Sequence, residues 1–195
     1  MPQSEIVGMF VPRSGLKARI LLLDNDGTLI KPKSGDEFVQ HPEDQVLIDG
    51  AAESIARYRS EGWLMGIVSN QGGVAAGHKT LSDCIDEMFF AMRLCGIEYA
   101  LAAYSAEDKG YGEALWLDLS DGGQQWKIIT NAQRCFRKPA TGMIDYLCRY
   151  LLCASSWRVV ADQVLMVGDR PEDAQAAQAA GIEFMWASDW REVKQ

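Results

Sequence analysis

Two aspartates stand two residues apart in "LLLDNDGTL", Leu21 to Leu29, where an apolar run meets a Gly-Thr turn. A buried carboxylate is costly unless something binds it, so Asp24 and Asp26 call for a partner. Two more polar clusters follow apolar runs: Ser69, Asn70, Gln71, Gly72 and Gly73 after "WLMGIV", and Asp169, Arg170 and Asp173 after "QVLMVG". Singly, each has a plain structural explanation. "DGT" makes a turn and "SNQGG" a loop, and "GDRPED" suits a helix start, with Pro171 near the first position and acids in the first turn. Jointly they bring four carboxylates, Asp24, Asp26, Asp169 and Asp173, to one edge, where they repel unless a cation sits among them. An all-oxygen cluster without His or Cys suits Mg²⁺, which takes one or two carboxylates, several waters and a substrate phosphate.

The chemistry that fits this set is phosphoryl transfer. Asp24 and Asp26, two apart on an extended segment, project to the same side. One carboxylate can attack phosphorus to give an aspartyl-phosphate while the other handles protons. The equatorial oxygens need hydrogen-bond donors and positive charge. Ser69 and the amides of "NQGG" can donate, and "FRKPATGM" sets Arg137 and Lys138 just before a helix, the Lys as a point charge and the Arg as a fork. Alone, that Lys-Pro would be a solvated surface pair.

The elements that must hold these residues alternate along the chain. "ARILLLD", "WLMGIVS", "EYALAAYS", "QVLMVGD" and "IEFMWA" are short apolar runs bounded by turn residues, read as five strands buried on both faces. Helices are expected from about Gly50 to Ser60 with Ile55 and Tyr58 inward, from Thr80 to Cys95 behind a Thr80/Asp83 capping box, from Thr141 to Leu152, and from Pro171 to Ala180. The stripe Leu81, Ile85, Met88, Phe89 and Met92 reads as core. This pattern predicts a three-layer, doubly wound, mainly parallel α/β sheet, with ligand beyond the carboxyl ends of the strands. The polar segment "KPKSGDEFVQHPED" is too rich in Pro, Gly and charge to be core. Periodicity fades from about 106 to 136, which predicts a functional or locally ordered insertion whose Trp116, Trp126 and Ile128 pack on the body or line a pocket.

At 195 residues the chain is read as one domain, 1–195, carrying that insertion. Hydrophobic content of 48% and charged content of 24% are those of a globular protein. A net charge of −8 works against holding long nucleic acid by phosphate neutralisation. No apolar stretch approaches the ~18 residues that span a bilayer, and the opening "MPQSEIVGMFVPRSG" lacks a basic n-region. The expected location is the cytoplasm, without a membrane partner, as a monomer or small homo-oligomer. The five cysteines, an odd number with no C-x-x-C pair, are expected to be reduced core thiols.

The order "DNDGT", "SNQ", "RKPATGM", "GDRPED" resembles the four motifs of the haloacid dehalogenase (HAD) superfamily of phosphatases, a Rossmann-like fold. "SNQGGVAAG" with "RKPATGMI" is similar to the branch that holds heptose bisphosphate phosphatase, histidinol-phosphate phosphatase and polynucleotide 3′-phosphatase, which lacks large cap domains. The match runs from about Leu21 to Trp186. The resemblance implies Asp24 as nucleophile and Asp26 as general acid/base with its backbone carbonyl on Mg²⁺. It implies Ser69 and Lys138 on the transferring phosphoryl group, and Asp169 and Asp173 on the metal or its waters. Thr28, Asn70, Gln71 and Arg137 would serve the substrate side of the site.

One departure from that branch is clear. Its bacterial members carry a zinc loop of three Cys and one His before Arg-Lys-Pro, and here only Cys135 stands there, so no zinc is expected and the insertion should occupy that place. The expected function is a Mg²⁺-dependent phosphomonoesterase acting on a small phosphorylated metabolite of the sugar-phosphate type. A nucleic-acid 3′-phosphatase is the alternative. A receiver-like module, opposed by the second acid at position 26, and a non-catalytic phosphate-binding module, opposed by the intact set of motif residues, come after it.

Overall fold

In the computed structural model, residues 16–105, 112–131, 135–154 and 159–192 are described. The opening segment on which the signal-peptide reading rests lies outside them. Seven strands form one sheet: β1 (Leu16–Leu23), β4 (Leu64–Asn70), β5 (Tyr99–Ala103), β6 (Gly112–Asp118), β7 (Gln125–Asn131), β8 (Val159–Gly168) and β9 (Glu183–Trp186). A two-stranded hairpin, β2 (Ile30–Pro32) and β3 (Gln45–Leu47), stands apart. The helices are α1 (Ala51–Ser60), α2 (Gly72–Ala75), α3 (Leu81–Cys95), α4 (Gly142–Ala154), α5 (Pro171–Ala180) and α6 (Ala187–Arg191).

The sheet order is β7-β6-β5-β4-β1-β8-β9, with β1 at the centre, parallel to both β4 and β8. Alternate side chains of β1 enter opposite layers. Leu21 and Leu23 pack with Ile55 of α1 and Met88, Phe89 and Met92 of α3. Ile20 and Leu22 pack with Met143, Ile144 and Leu147 of α4 and Ala176 and Ala177 of α5. Burial on both faces is why the strand reads as a continuous apolar run. The chain leaves β1 toward β4 and β5, then returns to β8 on the other side, so strand order reverses at β1. That is where an open α/β sheet forms its ligand crevice.

The five expected strands and four expected long helices are present, and Thr80 caps α3 with Asp83 as the capping box requires. The structure adds detail to what lies between. The aperiodic stretch holds a hairpin: β6 pairs antiparallel with β5, and β7 with β6, extending the sheet by two strands. Trp116 is buried against Tyr99, Tyr146 and Tyr150; Trp126, though half-exposed, lines a cavity with Leu81, Ile85 and Phe89 of α3 as expected, and Ile128 is exposed. The polar segment after Asp26 is bracketed by β2 and β3. Its Asp44 is a buried hub, accepting from the Ser34 amide at 2.7 Å, the Ser34 hydroxyl at 2.9 Å and the Gln40 amide at 3.2 Å.

Of the cysteines, Cys84, Cys95 and Cys148 are buried, Cys135 is half-buried and Cys153 is exposed, so the core reading holds for three. Among the described residues no helix is long and apolar enough to cross a membrane.

Candidate active site

The carboxyl ends of β1, β4 and β8 deliver Asp24, Ser69 and Asp169 to one crevice. Asp24 continues the β1–β8 ladder, its amide donating to the Val167 carbonyl at 2.9 Å. The chain then turns sharply at Gly27, whose φ of 82° is open to glycine and costly for other residues. From the C-terminal side, Arg191 of α6 donates Nη1 to the Gly27 and Thr28 carbonyls at 3.0 and 2.8 Å, pinning this turn.

Lys138 enters from the loop before α4 and is fully buried. Its Nζ lies 2.6 Å from Asp24 Oδ1 and 2.6 Å from Asp173 Oδ1, and donates to the Val68 carbonyl at 2.8 Å. Three acceptors match the three donors of an ammonium. Burial alone would lower its pKa, but Asp24 and Asp173 outweigh that and hold it above the ordinary value, so Lys138 is charged. Asn70 clamps its main chain from both sides: Nδ2 donates to the Lys138 carbonyl at 3.0 Å, and the Lys138 amide donates to Oδ1 at 2.9 Å.

Asp24, Asp169 and Asp173 each offer a carboxylate oxygen within 4.8 Å of the others. Thr28 is buried between them, its hydroxyl at 3.5 Å from Asp24 Oδ2 and 3.4 Å from Asp169 Oδ1. Asp173 also accepts from the Arg170 amide at 3.0 Å. The three carboxylates face the single buried charge of Lys138. Accordingly burial, joined by Asp173 and Asp26 and opposed by Lys138, pushes Asp24 up to about 7. Burial and Asp173 likewise raise Asp169, against Arg170. A cluster of oxygens with excess negative charge and no nitrogen or sulfur donor fits a divalent hard cation.

The Asp26 carboxylate is not part of that cluster, so the repulsion argued from four carboxylates reduces to three. After the turn it faces Gln71, whose Nε2 donates to Asp26 Oδ2 at 2.8 Å and to Ser69 Oγ at 2.9 Å. Gln71 Oε1 in turn accepts from Lys79 Nζ at 2.9 Å, and Lys79 pairs with Glu87. Arg137 is half-buried beside Gly72, where a Cβ would stand 3.0 Å from the guanidinium nitrogens.

All the expected site residues therefore lie around one crevice. Within it Thr28, Asn70 and Gln71 contact other site residues: Thr28 the carboxylates, Asn70 the Lys138 backbone, Gln71 the pair Asp26 and Ser69. Sequence reasoning missed Lys79, Glu87 and Arg191. Glu87 had a signal: it falls between Cys84 and Met88 on the inward face of α3, where an acid demands a cation. Arg191 had none.

The chain matches the family model described as Polynucleotide kinase 3 phosphatase over residues 19–187. It belongs to that family. With this membership it is a phosphatase of the HAD superfamily. It is 26% identical over 165 residues to the D-glycero-beta-D-manno-heptose-1,7-bisphosphate 7-phosphatase of Pseudomonas putida, covering 85% of this chain and 79% of the relative. It is 27% identical over 173 residues to the D-glycero-alpha-D-manno-heptose-1,7-bisphosphate 7-phosphatase of Burkholderia mallei, covering 86% and 78%. Among solved structures, the fold is similar to that of a protein described as a HAD-like phosphatase from Mesorhizobium loti, with TM-score 0.62, 21% identity and coverage of 89% and 74%. It is also similar to D,D-heptose 1,7-bisphosphate phosphatase of B. bronchiseptica complexed with magnesium and phosphate, with TM-score 0.57, 23% identity and coverage of 86% and 78%.

Proposed function

We propose that this phosphatase is a Mg²⁺-dependent phosphomonoesterase that works through an aspartyl-phosphate on Asp24 and hydrolyses a small phosphorylated metabolite of the sugar-phosphate type, in the cytoplasm. The observation that carries the reading is Lys138, a buried ammonium held between Asp24 and Asp173 at 2.6 Å from each, beside the three-carboxylate cluster. The substrate class rests on the heptose bisphosphate phosphatases that the chain resembles.

In this reading an Asp24 carboxylate oxygen attacks phosphorus, the ester P–O bond breaks, and Asp26 gives its proton to the leaving oxygen. Water then attacks the phosphorus of the aspartyl-phosphate, Asp26 takes its proton, and inorganic phosphate leaves with Asp24 restored. Lys138 and the Ser69 hydroxyl hold the charge on the equatorial oxygens in both steps. Arg137, beside Gly72, faces the remainder of the substrate. Asp24, Asp169 and Asp173 would hold Mg²⁺ through carboxylate oxygens, and Asp26 through its carbonyl. When bound, the ion supplies the positive charge that these carboxylates and a phosphate dianion together require.

A nucleic-acid 3′-phosphatase is the second reading, favoured by the description of the matching family and opposed by the net charge of −8. Phosphate release from sugar phosphates, sugar bisphosphates, histidinol phosphate, nucleotides and 3′-phosphorylated oligonucleotides decides between them, with wild type beside Asp24→Asn. The expected result is fast cleavage of one small ester, no turnover by the variant, loss of activity in EDTA and recovery with Mg²⁺. Cleavage of the oligonucleotide alone would favour the second reading, and full activity in Asp24→Asn would overturn the mechanism.

A further inference from the structure

Behind Asp26 and Ser69 lies a line of three side chains that the proposed reaction does not use: Gln71, Lys79 and Glu87. Lys79 directly precedes Thr80, the N-cap of α3, and its amide and that of His78 both donate to the Gly73 carbonyl, at 3.3 and 2.8 Å. Gly73 makes room for the lysine stem, since a Cβ there would stand 3.0 Å from Lys79 Cε. Glu87, buried on α3, pairs with the ammonium. The α3 backbone at Glu87 is held to the β2–β3 hairpin, because Gln45 Nε2 donates to the Glu87 main-chain carbonyl at 3.0 Å and to that of Pro42 at 2.8 Å. Lys79 is thus fixed at both ends, and its Nζ meets Gln71 Oε1 at 2.9 Å.

An ammonium can only donate. The Gln71 amide must therefore turn its oxygen to Lys79, which leaves the NH₂ group to face Asp26 Oδ2 and Ser69 Oγ. Ser69, fully buried, then accepts at its oxygen and keeps its one proton for another acceptor. In the flipped amide, the oxygen would oppose the Asp26 carboxylate and would take the Ser69 proton for itself. Lys79 makes that flip a donor-against-donor contact.

We propose that Lys79, anchored by Glu87, is a positioning residue: it fixes the orientation of the Gln71 amide, and through it aims the Ser69 hydroxyl and the Asp26 carboxylate at the transferring phosphoryl group. The inference rests on the phosphatase reading above. Lys79 touches neither substrate nor the carboxylate cluster, and acts only through Gln71.

A double-mutant cycle tests this, using p-nitrophenyl phosphate and the best ester of the panel with saturating Mg²⁺. Lys79→Met should lower kcat about tenfold while KM stays within about twofold, since the lost contact serves the reacting group. Lys79→Arg, which keeps the donor, should recover most of the rate. In a Gln71→Ala background, Lys79→Met should change kcat by less than about twofold, because coupled residues do not add. Should Lys79→Met fail to fold, Glu87→Gln takes its place, with a fall of about threefold in wild type and none in Gln71→Ala. An equal loss in both backgrounds, or no loss in either, overturns the inference while leaving the phosphatase reading intact.

If wild type cleaves no ester, that reading has failed, and the side-chain amide resonances of Gln71, assigned by their loss in Gln71→Ala, decide the inference alone. A clear shift in Lys79→Met supports the fixed amide; unchanged resonances refute it.

Discussion

Replacing Gly27 with alanine should damage metal binding far more than its small size suggests, because two independent constraints meet at that position. Its φ of 82° costs an L-residue about 1–2 kcal/mol. A Cβ there would also stand 2.7 Å from Asp169 Cγ and nearer still to one carboxylate oxygen. Carbon atoms in good contact sit about 3.5–4.0 Å apart, so Asp169 or the turn must give way by about 1 Å. The turn is held by the Arg191 guanidinium on the Gly27 and Thr28 carbonyls, which leaves Asp169, exposed at the strand end, as the group that moves. In the proposed metal site, a carboxylate displaced by that much would no longer share an ion with Asp24 and Asp173. The expected result is a loss of about 1–2 kcal/mol in urea denaturation with EDTA present. The Mg²⁺ concentration for half-maximal phosphate release should rise at least about tenfold, equivalent to about 1.4 kcal/mol of lost binding. Both readouts are needed, since the first reports the turn and the second the carboxylate. A variant with wild-type Mg²⁺ dependence would refute the placement of Asp169 in the metal site, whatever its stability.

Three further outcomes follow from the same geometry. Asn70→Ala removes both hydrogen bonds to the Lys138 backbone, so stability should fall by about 1–3 kcal/mol and kcat with it; a variant with normal kcat would mean that Lys138 needs no clamp. In metal-free protein, Asp24, raised from an ordinary 3.8 to about 7 by burial, binds a proton in the folded state that the unfolded chain has already released. That contribution to stability therefore falls as pH rises from 3.8 to about 7, by up to about 4 kcal/mol. Asp24→Asn should abolish this slope, and an identical pH profile for the variant would sink the assignment. Burial pushes the thiols of Cys84, Cys95 and Cys148 up to about 12, so a thiol reagent at neutral pH should label exposed Cys153 quickly and those three only after denaturation; fast native labelling of Cys84 would contradict the packing of α3.

The parallel body of the fold was legible because burial on both faces writes itself into the sequence as uninterrupted apolar runs, such as "ILLL" and "GIV", each stopped by turn residues. The helices were legible for a related reason. α3 shows both an inward stripe and a capping box, which agree on where it begins. What escaped was the β6–β7 hairpin. Its outer strand pairs on one side only, and Trp126 and Ile128 face solvent, so "QQWKIITN" carries neither a buried run nor a clean alternation with polar residues. The inner strand, "GEALWLD", does carry the buried residues Ala114, Leu115, Trp116 and Leu117, yet it sits in a stretch whose flanks are polar and Gly-rich. An antiparallel extension of an otherwise parallel sheet breaks the strand-helix rhythm from which the topology was inferred.

The site divides along a similar line. Three residues of the crevice come from strand ends, and a strand end is a local feature: Asp24, Ser69 and Asp169 each follow an apolar run, so position in the sequence predicts position in the crevice. Lys138 needed a second argument, since nothing local places a Lys-Pro loop against β1; only the positive charge that phosphoryl transfer demands calls for it. Lys79, Glu87 and Arg191 are a further step removed, because each contacts the crevice only through another residue or the backbone. Glu87 is intelligible once α3 is known to turn it inward, Lys79 once Glu87 needs a cation, and Gln71 once Lys79 dictates which end of its amide faces Asp26. Each inference depends on the geometry delivered by the one before, which is why a motif search stops at Gln71 and a structure continues to Glu87. Arg191 comes from beyond the last strand, and the hydrogen bonds that place it go to backbone carbonyls. Those carbonyls are present at every position, so the sequence carries no mark of its partner.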